Sequence, residues 1–408
     1  MDIYLVGGAV RDTLLNYPVK ERDWVVVGAT PEDMEKQGFR AVGKDFPVFL
    51  HPKTKEEYAL ARTERKTAHG YKGFAVFASP EVSLEQDLLR RDLTINAMAM
   101  DTQRQVIDYY GGQQDLQRRL LRHVSPAFVE DPVRILRVAR FAARYASLGF
   151  SVAEETNQLM QAMVEAGEVD YLVPERVWAE LIKALSENTP AAFFYTLRNC
   201  GALAKIFPEI EALFNVPQPA NYHPEIDTGL HSLMVLEQAA LLSTKTTVRF
   251  AALVHDLGKA LSPKDNLPHH YGHERTGLSV LKKLCQRLRV PNHYSSLALL
   301  VMEYHTHCHK VKELRASTLV DLLNTLGVFK SGENHLEDFI IACEADAKGR
   351  TGFEQRDYPQ ATYLRNAARA ALAIDTSAII NSELQGAKIG IAIRQLRIDA
   401  VQSFKQML

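Results

Sequence analysis

The sequence predicts an α+β protein, in which a small α/β head precedes a long all-helical body. Short β-rich runs alternate with short helical stretches up to about residue 110, and the runs are residues 3–6, 24–27, 46–50, 58–61 and 74–77. From about Leu116 the apolar spacing becomes helical and stays so to the end of the chain. The 408 residues also exceed the ~250 to 300 at which single cores stop growing, so we expect about two to four domains.

The composition indicates a folded protein, with 46% hydrophobic and 24% charged residues. A net charge of -1 gives no general attraction to nucleic acid or anionic membrane, so nucleic-acid binding requires a local basic patch. The four cysteines form no CxxC pair, which argues against a disulfide framework or a thiolate zinc site. The lack of a basic leader and of an apolar stretch near ~18 residues predicts a cytoplasmic protein with no membrane partner.

The first candidate site begins at Gly7 and Gly8, which follow an apolar run. GGAVRDTLL predicts a strand, a tight turn and a helix start, where glycines let a phosphate approach backbone N–H groups. Glu21 and Asp23 stand two residues apart at the next apolar run, so their side chains should share one face of a strand. Two such carboxylates favour Mg²⁺, and a pair of ions ~3.5 to 4 Å apart would activate a hydroxyl and hold a leaving phosphate. Separately, these residues also fit a ligand-free turn and a solvated strand end.

Arginines provide the next two elements. Arg90 and Arg91 in LLRRDLTINAMAMD suit a triphosphate, because the planar guanidinium donates to two oxygens at once. The segment VEDPVRILRVARFAARYA predicts a helix with an apolar stripe on one side and arginines on the other. These arginines are Arg134, Arg137, Arg140 and Arg144.

Asp131 has two possible roles in this segment. It precedes Pro132 and can cap the helix. It also lies one turn before Arg134, so the carboxylate could accept from an exocyclic amino group while the guanidinium donates to a ring nitrogen. That pattern matches the pairing edges of cytosine and adenine, and it is the reverse of the pattern of uracil and guanine.

Together, the motifs GGAVRD, ERDWVVVG, RRDLTINA, EDPVRILRVARFAARY and PERVW resemble those of the class II tRNA nucleotidyltransferases, the CCA-adding enzymes. The resemblance implies a polymerase-beta-like nucleotidyltransferase head, a helical neck and body, and addition of C, C and A to tRNA 3′ ends from CTP and ATP. It assigns the metals to Glu21 and Asp23, and the base to Asp131 with Arg134. It assigns the rest of the nucleotide site to Gly8, Arg11, Arg91, Arg137 and Arg140. The first metal residue is usually Asp in this family, and here it is Glu21.

Histidines form a second candidate site. His255 and Asp256 stand in the apolar helical segment VRFAALVHDLGKA, and TGLHSLMVL places His231 on an earlier helix. A buried histidine can be an ordinary core residue, but the LxHDxGK context favours a metal site. This region resembles the HD phosphohydrolase superfamily, as in the bacterial multifunctional CCA proteins.

That resemblance implies an HD site of His231, His255, Asp256 and a later aspartate, for which Asp346 in CEADAKGR is the candidate. His270, His273 and His305 could bind a second metal or the scissile phosphate. Imidazole ligands favour a divalent transition metal over magnesium, with nickel a candidate. The implied activities are 2′,3′-cyclic phosphodiesterase, 2′-nucleotidase and phosphatase.

The predicted divisions are a catalytic head at residues 1–139, a tRNA-binding helical body at 140–227, an HD domain at 228–329 and a helical C-terminal region at 330–408. The boundary at 227 follows the Pro-rich stretch VPQPANYHPEID. Two alternatives remain at this stage: a poly(A) polymerase, which shares the head motifs, and a phosphohydrolase whose N-terminal domain only senses nucleotide. The oligomeric state, monomer or homodimer, is also left open.

Overall fold

The computed structural model describes residues 1–19, 21–42, 48–66, 74–330, 332, 334–380 and 384–407. These residues form two compact units. The first unit comprises Met1–Ala184 and Ala192–Ile206, and the second comprises Leu185–Ala191 and Phe207–Leu408. An α/β head and a helical remainder are both present, so the predicted fold class is confirmed. The four-part division of the chain stays a prediction.

The first unit is built on a mixed sheet. Its strands are β1 Asp2–Val6, β2 Asp23–Val27, β3 Arg40–Val42, β4 Val48–Leu50, β5 Glu57–Leu60, β8 Met98–Met100 and β9 Val106–Asp108, in the order β3-β4-β5-β2-β1-β8-β9. The antiparallel ribbon of β6 Arg62–Lys66 and β7 Phe74–Ala78 stands apart from this sheet. Phe46, which the sequence places in the run at 46–50, lies outside the described residues.

The central strand β2 shows why its sequence is a continuous apolar run. Val25 packs into a cluster on one face of the sheet and Val26 into a cluster on the other. A strand covered on both faces needs apolar residues at successive positions, because neighbouring side chains point to opposite faces. Asp23 is the first residue of this strand, so the buried residues that follow it fix the position of its backbone.

The helices of the first unit surround this sheet and continue beyond it. They are α1 Gly8–Leu14, α2 Pro31–Lys36, α3 Leu84–Leu89, α4 Gly112–Arg118, α5 Val133–Tyr145, α6 Glu154–Glu165, α7 Pro174–Leu185, α8 Ala191–Asn199 and α9 Ala202–Ile206. The prediction of helix alone from Leu116 onwards is wrong at two points, because β10 Leu120–Leu121 and β11 Ser151–Val152 pair in parallel. Two-residue strands carry too few side chains to show an alternating pattern.

The second unit, among its described residues, is helical. Its helices are α10 Pro208–Glu211, α11 Thr228–Leu242, α12 Thr246–Val254, α13 His273–Arg287, α14 Asn292–His309, α15 Ala316–Thr325, α16 Leu336–Lys348, α17 Pro359–Leu372, α18 Ser377–Ile380 and α19 Ala387–Gln406. The most extensive contacts between these α-helices join α12 to α14 and α11 to α12 and α16. The ends of these packed helices bring together the histidines identified from the sequence.

The Pro-rich stretch at 216–227 is an ordered part of the second unit. Pro217 and Asp227 form an isolated antiparallel bridge, and Gln218 is 2% exposed. The Asp227 carboxylate also accepts from the Leu230 N–H at 2.8 Å, which caps α11. The prolines stop a helix, as the sequence indicates, but the segment packs against later residues of its own unit, among them Lys259.

Arg249 on α12 is 4% exposed and satisfies four carbonyl groups. It donates to the carbonyl groups of Ser243 at 2.8 Å and Ala240 at 3.1 Å, at the end of α11, where the last carbonyl groups have no partner within the helix. It also donates to the carbonyl groups of Leu185 at 2.6 Å and Glu187 at 2.8 Å.

We expect Arg249→Met to lower the free energy of unfolding of the second unit by about 3 kcal/mol or more, because it leaves buried acceptors unsatisfied. Urea denaturation followed by circular dichroism measures this change. The matched control is Arg394→Met, which removes an exposed arginine paired with Asp321 and should leave the midpoint unchanged. Equal, small effects of the two substitutions would contradict the prediction.

Candidate active sites

The Gly7-Gly8 turn forms as the sequence predicts, between β1 and α1. Gly7 has φ of +67°, and a Cβ atom there would lie 2.7 Å from Nη1 of Arg91. Any larger residue at position 7 would therefore be strained and would displace the arginine. The turn and Arg91, which are distant in sequence, form one surface.

Arg11 is held next to this turn by a buried network. Its Nε donates to Asp12 at 2.8 Å, and its Nη1 contacts the side-chain oxygen of Asn96. Asp12 also accepts from the Tyr145 hydroxyl at 2.7 Å and from Arg144 at 2.9 Å. Arg11 is 4% exposed, so its direction is fixed before any ligand binds.

Asp23 is the first residue of β2 and lies opposite Val6, directly beside the glycine turn. Glu21 precedes the strand, and both side chains are exposed. Partial burial of its carboxylate raises the pKa of Asp23, Arg91 opposes this shift and Glu21 adds to it. The two carboxylates thus act on each other, and a cation between them would relieve their repulsion.

Asp131 and Arg134 are close in sequence, but each bonds to other groups. Asp131 accepts two parallel bonds from Arg176 of PERVW, at 2.7 and 3.1 Å, and a third from the Val133 N–H at 3.1 Å. Asp131 thus accepts from the first N–H of α5, although Pro132 and not Asp131 stands at the N-cap position of that helix. Arg134 is 7% exposed and donates to the carbonyl groups of Ala127 at 2.8 Å and Arg90 at 2.7 Å.

The other arginines of α5 are also paired within the first unit. Arg137 donates to Asp92 at 2.7 Å, and Arg140, which is buried, donates to Glu180 at 2.6 Å. The arginine side of the helix is therefore a packed network. Arg176 and Glu180 were not identified from the sequence as site residues, although PERVW was recognised as a motif and is the signal that could have led to them.

The second site lies wholly within the second unit, where five elements meet. His231 is on α11, His273 begins α13, His305 is on α14 and Asp346 is on α16. His255 and Asp256 directly follow α12, which ends at Val254, so both project from a helix terminus and not from inside the helix as the sequence suggested. His231, His255, Asp256, His305 and Asp346 are each 3% exposed or less.

The ring Nε2 atoms and the carboxylates converge on a small volume. Nε2 of His231 and of His255 lie 3.1 and 3.6 Å from Oδ1 of Asp346. On the other side, Asp256 lies 3.1 Å from His255, 3.2 Å from His273 and 3.7 Å from His305.

Each of the four imidazoles is oriented by a backbone acceptor on its Nδ1 atom. These contacts join His231 to Gly349 at 3.0 Å, His255 to Ala252 at 2.7 Å, His273 to His270 at 2.7 Å and His305 to Val301 at 3.0 Å. A neutral ring with its hydrogen on Nδ1 has its Nε2 lone pair directed at the carboxylates. Lone pairs and carboxylates facing each other require a cation, so the residues fit a metal ion.

Unsatisfied polar atoms lead to the same conclusion. Among the described residues, three buried atoms of this centre lack a well-aligned hydrogen bond: Nε2 of His255 and both carboxylate oxygens of Asp256. The nitrogen atoms near those oxygens lie at distances from 2.6 Å, for Lys259, to 3.7 Å, for His305. Burial would lower the pKa of His255, but Asp256 and Asp346 outweigh it and raise the pKa to about 10. Burial lowers the pKa of His305 to about 3, against the attraction of Asp256.

Close backbone approach brings His273 to this centre. A Cβ atom on Gly258 would lie 2.0 Å from the carbonyl oxygen of His273 and 2.7 Å from the nitrogen of Gly277. The turn after Asp256 can therefore pack against the start of α13 only because position 258 is glycine. The glycine in LxHDxGK has this packing role.

Three residues beside the centre were not identified from the sequence. Lys259 contacts Asp256 and Gln218, each at 2.6 Å, and the lysine of LxHDxGK was its only signal. Glu225 lies 3.0 Å from Nδ1 of both His223 and His231. Gln218 and Glu225 come from the Pro-rich stretch, where no sequence pattern marked them as part of a site.

A cavity of about 870 Å³ opens beside the centre, lined in part by Lys259, His273 and Arg350. His270 is also on the cavity wall, and its two ring nitrogens contact the Ser262 hydroxyl at 2.7 Å and the Pro217 carbonyl at 3.0 Å. The structure thus groups His273 and His305 with the centre and places His270 at its edge. The cavity provides access for a substrate to a centre that is otherwise buried.

Three family models match the chain. The Poly A polymerase head domain matches residues 3–122, the probable RNA and SrmB-binding site of polymerase A matches residues 149–214, and the HD domain matches residues 228–347. Both candidate sites lie in classes of domain that depend on divalent metals. Within the described residues, no helix combines the length and apolar character needed to cross a membrane.

Curated relatives match nearly the whole chain. The multifunctional CCA protein of Methylococcus capsulatus is 64% identical over 405 residues, which cover 99% of this chain and 95% of that protein. The multifunctional CCA protein of Thioalkalivibrio sulfidiphilus is 60% identical over 405 residues, covering 99% of each.

Solved structures share the fold at lower identity. The Thermotoga maritima CCA-adding enzyme complexed with tRNA matches with a TM-score of 0.63 at 21% identity, covering 98% of this chain and 87% of that one. The Bacillus stearothermophilus CCA-adding enzyme in complex with CTP matches with a TM-score of 0.63 at 22% identity, covering 98% and 89%.

Proposed function

Because the chain belongs to the family of the multifunctional CCA proteins, we propose that it adds and repairs the 3′-terminal CCA of tRNA, using CTP and ATP without a nucleic-acid template. The observation that carries the proposal is the surface formed by the Gly7-Gly8 turn, Asp23 and Arg91. On it, a turn that admits phosphate adjoins a carboxylate that can hold a metal and an arginine that can bind a triphosphate.

Glu21 and Asp23 would hold Mg²⁺, which when bound supplies activation of the attacking hydroxyl and neutralises charge on the triphosphate. Arg11 and Arg91 would bind the triphosphate and sugar where the backbone at Gly8 allows close approach. Arg137 and Arg140 would complete the nucleotide site, and they hold the side chains of Asp92 and Glu180 in place. Because these arginines are already ordered by Asp12, Asp92 and Glu180, little reorganisation is required when charge develops on the phosphates.

Asp131 and Arg134 would select the base. Arg176 and the Val133 N–H together make three bonds to the Asp131 carboxylate, and a carboxylate has about four acceptor positions, so one can still accept from an exocyclic amino group. Arg134 would donate to the ring nitrogen. CTP and ATP present this combination, whereas UTP and GTP present a carbonyl beside a ring N–H.

For the second unit we propose a metal-dependent phosphohydrolase with 2′,3′-cyclic phosphodiesterase, 2′-nucleotidase and phosphatase activity. His231, His255, Asp256 and Asp346 would hold a divalent transition metal, with Ni²⁺ a candidate, and the bound ion supplies activation of water. His273 and His305 extend the ligand set, and Lys259 fixes Asp256. The cationic groups at the cavity wall, Lys259 and Arg350, would orient the phosphoester.

Single-nucleotide assays on tRNA that lacks its terminal CCA test the proposal for the head. We expect CTP alone to add cytidines and stop, CTP with ATP to complete CCA, and UTP or GTP to add nothing. A tRNA that already ends in CCA is the substrate control and should not be extended. Growth of a homopolymer with ATP alone would contradict the proposal and favour a poly(A) polymerase.

A further inference from the structure

His309, near the end of α14, contacts the proposed metal ligand Asp346 at a different carboxylate oxygen from the one that His231 faces. Its Nε2 lies 2.7 Å from Oδ2 of Asp346, whereas His231 faces Oδ1. A carboxylate only accepts hydrogen bonds, so Nε2 of His309 carries a hydrogen and donates it. One oxygen of Asp346 is thereby engaged, and the other is left facing the centre.

Tyr358 determines the direction of the His309 ring. Its hydroxyl lies 2.9 Å from Nδ1 of His309, and this nitrogen has a lone pair when Nε2 carries the hydrogen. The hydroxyl also contacts Sγ of Cys308 at 3.4 Å, a longer contact than the one to the ring. A chain of polar contacts therefore runs from Cys308 through Tyr358 and His309 to Asp346.

We propose that His309, oriented by Tyr358, is a positioning residue of the hydrolase site that fixes Asp346 with Oδ1 directed at the metal. Partners that bond to metal ligands from outside set their orientation and strengthen binding. His309 does not itself act as a ligand, because Nε2 donates to Asp346 and Nδ1 is engaged by Tyr358. The inference rests on the proposed metal-dependent hydrolase.

The test is titration of metal-depleted, full-length protein with Co²⁺, followed by the visible absorption of the bound ion. The His255→Ala variant serves as the blank for ions bound elsewhere. We expect His309→Ala to weaken Co²⁺ binding at the HD site by ~10- to 100-fold, and Tyr358→Phe to weaken it by about tenfold and to shift the absorption bands. His309→Gln should recover much of the loss, because its amide can donate to the same Asp346 oxygen.

The matched control is Tyr271→Phe, which removes a hydroxyl from an exposed tyrosine on the same cavity and should leave Co²⁺ affinity unchanged. Thermal unfolding of the metal-free variants separates positioning from folding, because a variant that is still folded at the temperature of the titration cannot lose Co²⁺ affinity through unfolding.

Two results would overturn the proposal. If Tyr358→Phe and His309→Ala both bind Co²⁺ like the parent protein, the positioning role fails and the proposed hydrolase stands. If the parent protein binds no more Co²⁺ than His255→Ala, the metal centre itself fails, and the positioning role with it.

Discussion

Asp23→Asn should reduce nucleotide addition to tRNA by about 10³-fold or more, the loss expected when a metal ion that stabilises transition-state charge is no longer held. Asparagine keeps the shape of the side chain and removes the charge that would hold Mg²⁺. Asp23 begins a strand whose next residues are buried on both faces of the sheet, so the substitution should not disturb the fold. Incorporation of labelled CTP into tRNA that lacks CCA measures the effect.

The matched control for this experiment is Asp2→Asn. Asp2 lies at the far end of the same strand pair, opposite Val27, whereas Asp23 lies opposite Val6 beside the glycine turn. The control variant should add nucleotides at the normal rate, and both variants should retain hydrolase activity. If Asp23→Asn still repairs tRNA ends, the two-metal assignment is wrong and the head is better described as a nucleotide sensor.

Glu21 offers a second comparison at this site. Glutamate reaches one methylene further than the aspartate usual in the family, and Glu21 precedes the strand where backbone pairing does not constrain it. The substitution Glu21→Asp should therefore remain active, whereas Glu21→Gln should lose activity in the same direction as Asp23→Asn. This pattern would show that charge matters more at this position than side-chain length.

His255→Ala should abolish hydrolysis of 2′,3′-cyclic AMP and leave nucleotide addition intact. The imidazole faces both Asp256 and Asp346, so its removal leaves two buried carboxylates without the group that links them. Loss of the ligand that faces both carboxylates should prevent metal binding, and the bound metal content of the purified variant checks this directly.

His293→Ala is the matched control for this prediction, because it removes an exposed histidine of the same unit at the start of α14. It should change neither activity. Loss of hydrolysis and addition together in His255→Ala would instead indicate that His255 is a structural core residue. The comparison therefore separates the metal hypothesis from the ordinary alternative for a buried histidine.

The parts of the fold that could be predicted are those determined by a short stretch of neighbouring residues. The turn at Gly7 follows from a glycine pair between a strand and a helix, and Asp23 is marked by a run that is apolar at every position. The ends of α12 were less well defined, because apolar spacing persists through Leu257 while the helix ends at Val254. The two short strands β10 and β11 had no pattern to reveal them.

Only those site residues could be predicted that are marked by their residue type or by the family resemblance. Asp346 lies 115 residues from His231, and the HD resemblance, not spacing, brought it into the prediction. Arg176 and His309 were missed because their partners, Asp131 and Asp346, are distant in sequence. Glu225 was missed because no pattern marks the Pro-rich stretch as part of a site. Nothing in one sequence shows which arginine will face which carboxylate once helices pack.

The position of Gln218 and Glu225 limits how the hydrolase can be separated from the rest of the chain. The HD family model begins at residue 228, after both of these residues and after Asp227, which caps α11. A fragment cut at that boundary would keep the proposed metal ligands but lose Gln218, the partner of Lys259, and Glu225, the carboxylate beside His231. It would also lose Asp227, the cap of α11. A fragment meant to fold and act as the hydrolase should therefore begin before the Pro-rich stretch. The residues that this fold needs extend further towards the N-terminus than the residues that match the HD family.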